Sequence, residues 1–150
     1  MTVSLQREPL TPALLAELKP LILRNHEATG SKAPLDPNWD LFDQYSKGEA
    51  MALVVCRDGE RAVGYAAQVC HHHQLYGERW AVCVAIYLEP AYRRHFKALV
   101  AMMEWLATEA GAASISYNLP VGMNMIGFSR LGYWAQEIVM SKRLQSSGDG

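Results

Sequence analysis

The chain has 150 residues; half are hydrophobic and 19% are charged, which supports a buried core and excludes a chain disordered as a whole. Fourteen Lys and Arg against fifteen Asp and Glu leave a formal charge of -1, too weak a positive field for non-specific nucleic-acid binding. No apolar run approaches the roughly 18 residues of a membrane span, and residues 1–9 lack the basic start and apolar core of a signal peptide.

In chain order, residues 2–8 read as a first strand. Thr11 followed by Pro12 reads as an N-cap and a first helical position. Leu14, Leu15, Leu18, Leu21 and Ile22 recur at helical spacing, and Pro20 within them predicts a kink or a split. Residues 29–38, with two prolines and a glycine, read as a loop. Asp36 or Asn38 then caps a short helix through Trp39, Phe42 and Tyr45, ending near Gly48. Two strand-like runs, 51–57 and 61–70, flank Asp58-Gly59 and predict a hairpin. Residues 80–88 are apolar on both faces, as in a central strand covered on both sides. Pro90 ends that strand, and a helix over 96–110 stops at Gly111. A strand over 113–119, a short helix over 122–131 ending at Gly132, and a last strand over 133–144 complete the order.

This is an α/β pattern in one domain, residues 1–144, with 145–150 as a fraying tail. Strand 80–88, helix 96–110 and strand 113–119 form a unit whose short loops predict a parallel pair with a right-handed crossover. The hairpin before it is antiparallel, so the sheet is expected to be mixed. Cys56, Cys70 and Cys83 lie in apolar runs without CxxC spacing. They read as buried, reduced thiols and set the expectation of a cytoplasmic location.

The chemistry concentrates in the link after the central strand. Arg93, Arg94 and Lys97 crowd around His95, and no Ser, Thr, Asp or Asn is placed to cap the following helix. A bare helix N-terminus ringed with cations suits a phosphate or diphosphate. A solvated basic turn is the other reading of the same residues. His71, His72 and His73 end a strand that neighbours 80–88; alternation puts His71 and His73 on one face. They read either as a general base or as a polar strand end. A metal site with Cys70 is disfavoured because adjacent strand residues diverge.

The segment from Leu88 to Ala98, LEPAYRRHFKA, resembles the coenzyme motif of the GNAT superfamily of acyl-coenzyme A-dependent N-acyltransferases, with its hydrophobic-x-Pro-x-Tyr-Arg lead-in. Phe128-Ser129-Arg130-Leu131-Gly132-Tyr133 resembles the family's segment before the last strand, and residues 58–65 resemble its second hairpin. Within the family, the closest resemblance, by a looser comparison, is to the small, divergent members found in bacteriophage and bacterial genomes. Two positions depart from the pattern. Phe96 stands where the first motif glycine is expected, and Phe128 stands at the general-acid tyrosine.

The resemblance implies a mixed, mostly antiparallel sheet of six or seven strands with about four helices and a splayed parallel unit. It implies acetyl-coenzyme A, or another acyl-coenzyme A, as co-substrate and no metal. Tyr87, Leu88, Arg93, Arg94, His95, Phe96, Lys97, Ala98, Asn118, Asn124 and Phe128 would line its site, with a backbone N–H near Leu88 polarising the thioester. Candidate proton carriers are His73, His71, Glu89 and Tyr117, with Tyr133 as a further hydroxyl. The acceptor is a primary amine of a small molecule or protein. A catalytically weakened fold member that binds a partner protein is the alternative. A homodimer through the last strands is expected by analogy; neither nucleic acid nor a membrane is expected as partner.

Overall fold

The computed structural model describes residues 2–29, 40, 44, 51–73, 75–119, 125–136, 140, 142 and 144. The elements run β1 (Val3–Arg7), α1 (Pro12–Thr29), β2 (Met51–Asp58), β3 (Arg61–His72) and β4 (Arg79–Leu88). A 3₁₀ turn (Pro90–His95), α2 (Phe96–Glu109), β5 (Ser114–Tyr117) and α3 (Ile126–Arg130) follow. The strands lie in the order β1-β2-β3-β4-β5, every neighbouring pair antiparallel except the parallel β4 and β5.

Local chemistry sets most element ends. The Thr11 hydroxyl accepts from the Leu14 N–H at 3.1 Å, as an N-cap should. Gly59, at φ 61°, opens the tight turn between β2 and β3. Gly111, at φ 80°, ends α2, and the Ala112 N–H reaches back to the Ala107 carbonyl at 3.0 Å. Of the kink or split expected at Pro20, the split does not occur: α1 runs through it as one helix. Ala16, whose carbonyl it deprives of a donor, is exposed, so water can take that place. Leu14, Leu18 and Leu21 hold the helix to the sheet across that point.

The sheet is covered on both faces. On one, Leu14, Leu18 and Leu21 of α1 pack on Leu53, Val55, Tyr65 and Ala67. On the other, Leu99, Met103 and Leu106 of α2 pack on Val54, Cys56, Ala66 and Cys83. Fully burying each such side chain contributes about 1.5–3 kcal/mol before entropy. One polar side chain, Gln68 of β3, is buried with them at 1% exposure. With its amide turned to match its surroundings, it donates to the Met103 carbonyl and accepts from the Ala107 N–H, each at 3.2 Å.

Among the described residues there are five strands, three bounded α-helices and the 3₁₀ turn, with Asp40 and Gln44 helical as well, against the six or seven strands and about four helices expected. Residues 133–136, 140, 142 and 144, assigned in sequence to a last strand, carry no pairing. Tyr133 turns inward onto Phe128 and Glu104 instead. The rest of that strand lies outside the described residues. So do the loop before residue 40, the 145–150 tail and most of the helix through Trp39, Phe42 and Tyr45, of which Asp40 and Gln44 are helical.

Gly64 sits opposite Leu88. A Cβ there would stand 2.5 Å from Leu88 Cδ2 and 2.6 Å from the Tyr87 carbonyl oxygen, so the backbones could not keep their spacing. Gly64→Ala is therefore expected to destabilise the protein by about 1–3 kcal/mol, read from urea unfolding.

A candidate anion site at the strand splay

β5 pairs with only the first part of β4. Its register runs from Trp80↔Ser114 to Cys83↔Tyr117 and stops there, while β4 continues to Leu88 against β3. The parting coincides with a β-bulge: Ala67 pairs with Ala85 and Gln68 with Cys83, leaving Val84 as the extra residue. Beyond it, the Glu89 N–H donates to the Val63 carbonyl at 2.9 Å. Alternation along an antiparallel strand then turns the backbone groups of Ile86 and Leu88 toward the edge that β5 has left. Tyr87 turns its own backbone toward β3, and its side chain packs on the α1 face.

The 3₁₀ turn sits at the open end of this gap. Neither Glu89, before the turn, nor His95, before α2, makes a side-chain cap. Arg93, Arg94 and Lys97 are exposed, and Arg94 Nη1 donates to the Ala91 carbonyl at 3.2 Å. His95 is half-buried, and its Nε2 is enclosed without a hydrogen-bond partner among the described residues. The start of α2, three exposed cations and an imidazole thus fall within five positions at one point of the chain. Phe96 leaves that point clear. Its ring packs into the α2-side core and meets Phe128 edge-on at 5.2 Å between centroids.

The apex of the gap is aromatic. Tyr117 lies tilted against buried Phe128 (5.0 Å) and edge-on to Tyr133 (5.4 Å), and the Tyr133 hydroxyl donates to Glu104 Oε1 at 2.6 Å. Burial pushes the Tyr117 hydroxyl far above the ordinary phenol range, so it keeps its proton. Tyr133 moves the same way, chiefly by burial and then by its bond to Glu104.

The other candidate proton carriers are not brought to the apex. Glu89 is engaged on both oxygens, by Arg24 at 2.8 Å and Arg61 at 3.3 Å, so it is a structural anion at the root of the turn. His71 pairs with Trp80, about four strand residues or roughly 13 Å before Val84. His73 lies tilted against Tyr76 and Trp80, with centroids 4.6 and 4.2 Å away, and its Nδ1 accepts from the Leu75 N–H. Direct proton transfer to a group at the apex is beyond their reach. Asn118 is exposed just past β5, while Asn124 lies outside the described residues. Among the described residues, no three His, Cys, Asp or Glu side chains converge on a metal position. Sequence reasoning missed the Val84 bulge and both partners of Glu89. The end of β4 reached by His71 could have been found by counting back along β3 from the link between the two strands.

No protein-family model matches the chain, and no curated protein does. Solved structures match closely in shape. Glucosamine-6-phosphate N-acetyltransferase from Arabidopsis thaliana superposes with a TM-score of 0.72 at 14% identity, over 97% of this chain and 100% of that one. Ribosomal-protein-alanine N-acetyltransferase from Brucella melitensis biovar Abortus 2308 gives 0.70 at 19%, over 98% and 99%. AAC(6')-Iy, solved with the bisubstrate analog CoA-S-monomethyl-acetylneamine, gives 0.69 at 16%, over 97% and 100%. The chain has the GNAT fold, in a divergent form.

The three thiols are free and buried. Burial raises each, and pushes Cys83 from 9.0 to about 12. A thiol raised in the folded state stabilises it below the unfolded pKa and loses that contribution as pH rises through the folded one. The Cys83 contribution to stability should therefore hold level below pH 9 and fall between 9 and about 12. Cys83→Ala should reduce that slope in urea titrations across this range.

Proposed function

We propose that this protein transfers an acyl group, foremost acetyl from acetyl-coenzyme A, to a primary amine of a small molecule or a protein. The observation that carries this reading is the juxtaposition at the splay: an open β4 edge ending in a basic turn and an uncapped fourteen-residue helix. A thioester carrier with a diphosphate has the two features this arrangement suits, an extended amide chain and a concentrated anion. The bound carrier supplies an acyl group already activated toward amines.

This chain's residues divide the work by position. Arg93, Arg94 and Lys97, with the start of α2, hold the diphosphate. Ile86 and Leu88 offer backbone groups to an extended ligand, and the Leu88 N–H is the donor for the acyl oxygen. When the amine nitrogen bonds the acyl carbon, the carbon–sulfur bond breaks and the proton lost by nitrogen balances the one gained by sulfur. Tyr117 is the protonated hydroxyl at the apex, and takes the place of a hydroxyl that Phe128 lacks. Acceptor amines are known for similar folds: AAC(6')-Iy is complexed with an acetylneamine analog, and the Brucella protein is named for a ribosomal-protein alanine.

A second reading is a GNAT-fold protein that binds a partner protein without turnover. One observation favours it: among the described residues, no candidate base stands at the apex, since Glu89 is doubly ion-paired and the histidines lie up the strand.

Acetyl-coenzyme A at a hundred times its dissociation constant should stabilise the folded chain by about 2.7 kcal/mol, seen as a rise of several degrees in melting temperature. Arg93→Ala with Arg94→Ala should abolish most of that rise. No rise with the wild-type protein would dismiss the coenzyme site. A rise without acetylation of any amine in a panel of small-molecule and peptide acceptors would favour the binding protein.

A further inference from the structure

The basic turn is itself held from behind. Glu89, at its root, is gripped by Arg24 of α1 and Arg61 of β3. Arg61 then donates through Nη2 to the Tyr92 hydroxyl at 3.1 Å and lies over the Tyr92 ring, 5.8 Å from its centroid. That hydroxyl donates in turn a short hydrogen bond to Asp58 Oδ2 at the end of β2. The backbone adds the Tyr92 N–H to Glu89 carbonyl bond at 2.8 Å and the Glu89 N–H to Val63 carbonyl bond at 2.9 Å. Two segments far from the turn in sequence, α1 and the β2–β3 hairpin, therefore converge on Glu89 and Tyr92, just before Arg93.

Exposed ion pairs add little to global stability, and Arg24 and Arg61 are 52% and 60% exposed. Such a chain does more as a geometric constraint than as a source of folding energy. We propose that Arg24, Glu89, Arg61, Tyr92 and Asp58 form a brace that fixes the 90–95 turn in its anion-binding shape before any ligand arrives, with Tyr92 as the positioning residue. The brace holds by its geometry alone; only its effect on coenzyme affinity rests on the function proposed above.

The experiment compares hydrogen exchange by mass spectrometry in full-length wild type, Tyr92→Phe and Glu89→Gln. Glu17→Gln serves as comparison, since it breaks an ion pair to Arg57 away from the turn. Peptides spanning 90–98 should exchange about tenfold faster in Tyr92→Phe and Glu89→Gln, and at the wild-type rate in Glu17→Gln. Coenzyme A binding, measured by calorimetry, should weaken about tenfold in the same two variants while the melting temperature moves little. Unchanged exchange in both, or equal acceleration in Glu17→Gln, overturns the brace. Faster exchange in a protein whose wild type binds no coenzyme A supports the brace and removes the acyltransfer reading instead.

Discussion

Everything at the site depends on a mismatch of length. β4 has ten residues and its parallel neighbour β5 has four, so among the described residues more than half of β4 has no strand on that side. A central strand normally satisfies its backbone on both edges. Here one edge is left with polar groups in line, next to the start of a long helix. The bulge at Val84 bends the strand where the pairing ends, and the aromatic cluster of Tyr117, Phe128, Tyr133 and Phe96 closes the apex. An opening of this kind is costly in an ordinary sheet, which makes it informative about function.

The charges around the opening fall into two groups with different jobs. Arg93, Arg94 and Lys97 face solvent, and their value lies in attracting and orienting an anion. Arg24 and Arg61 share Glu89, which offsets one of their two charges. Counting the arginines near the turn would overstate its positive field; the ion pairs show which of them are committed.

What was legible in the sequence was mostly local. Thr11, Gly59, Pro90 and Gly111 act within a few residues, and the elements they bound stand where the pattern put them. The parallel unit was also readable, because short loops leave few ways to join strand, helix and strand. What escaped depends on contacts between distant segments. Pro20 reads as a kink or a split, and that α1 stays in one piece depends on the packing of Leu18 and Leu21. Glu89 reads as a free carboxylate until α1 and β3 are folded beside it. The histidines were placed beside the right strand but toward its other end, because antiparallel register runs them away from the turn. Phe96, a departure from the motif, lost its apparent conflict once its ring was seen in the core.

Gln68 has a consequence for the site although it lies away from it. Its buried amide engages one carbonyl and one N–H within a single turn of α2. Shifting α2 along its axis by a residue or two would leave that amide facing hydrocarbon, at a penalty of a few kcal/mol. Leucines and methionines alone would tolerate such sliding far better. The amide therefore works as an index pin: it sets how far the helix projects past the end of β4, and so the reach from its first turn to the mouth of the gap.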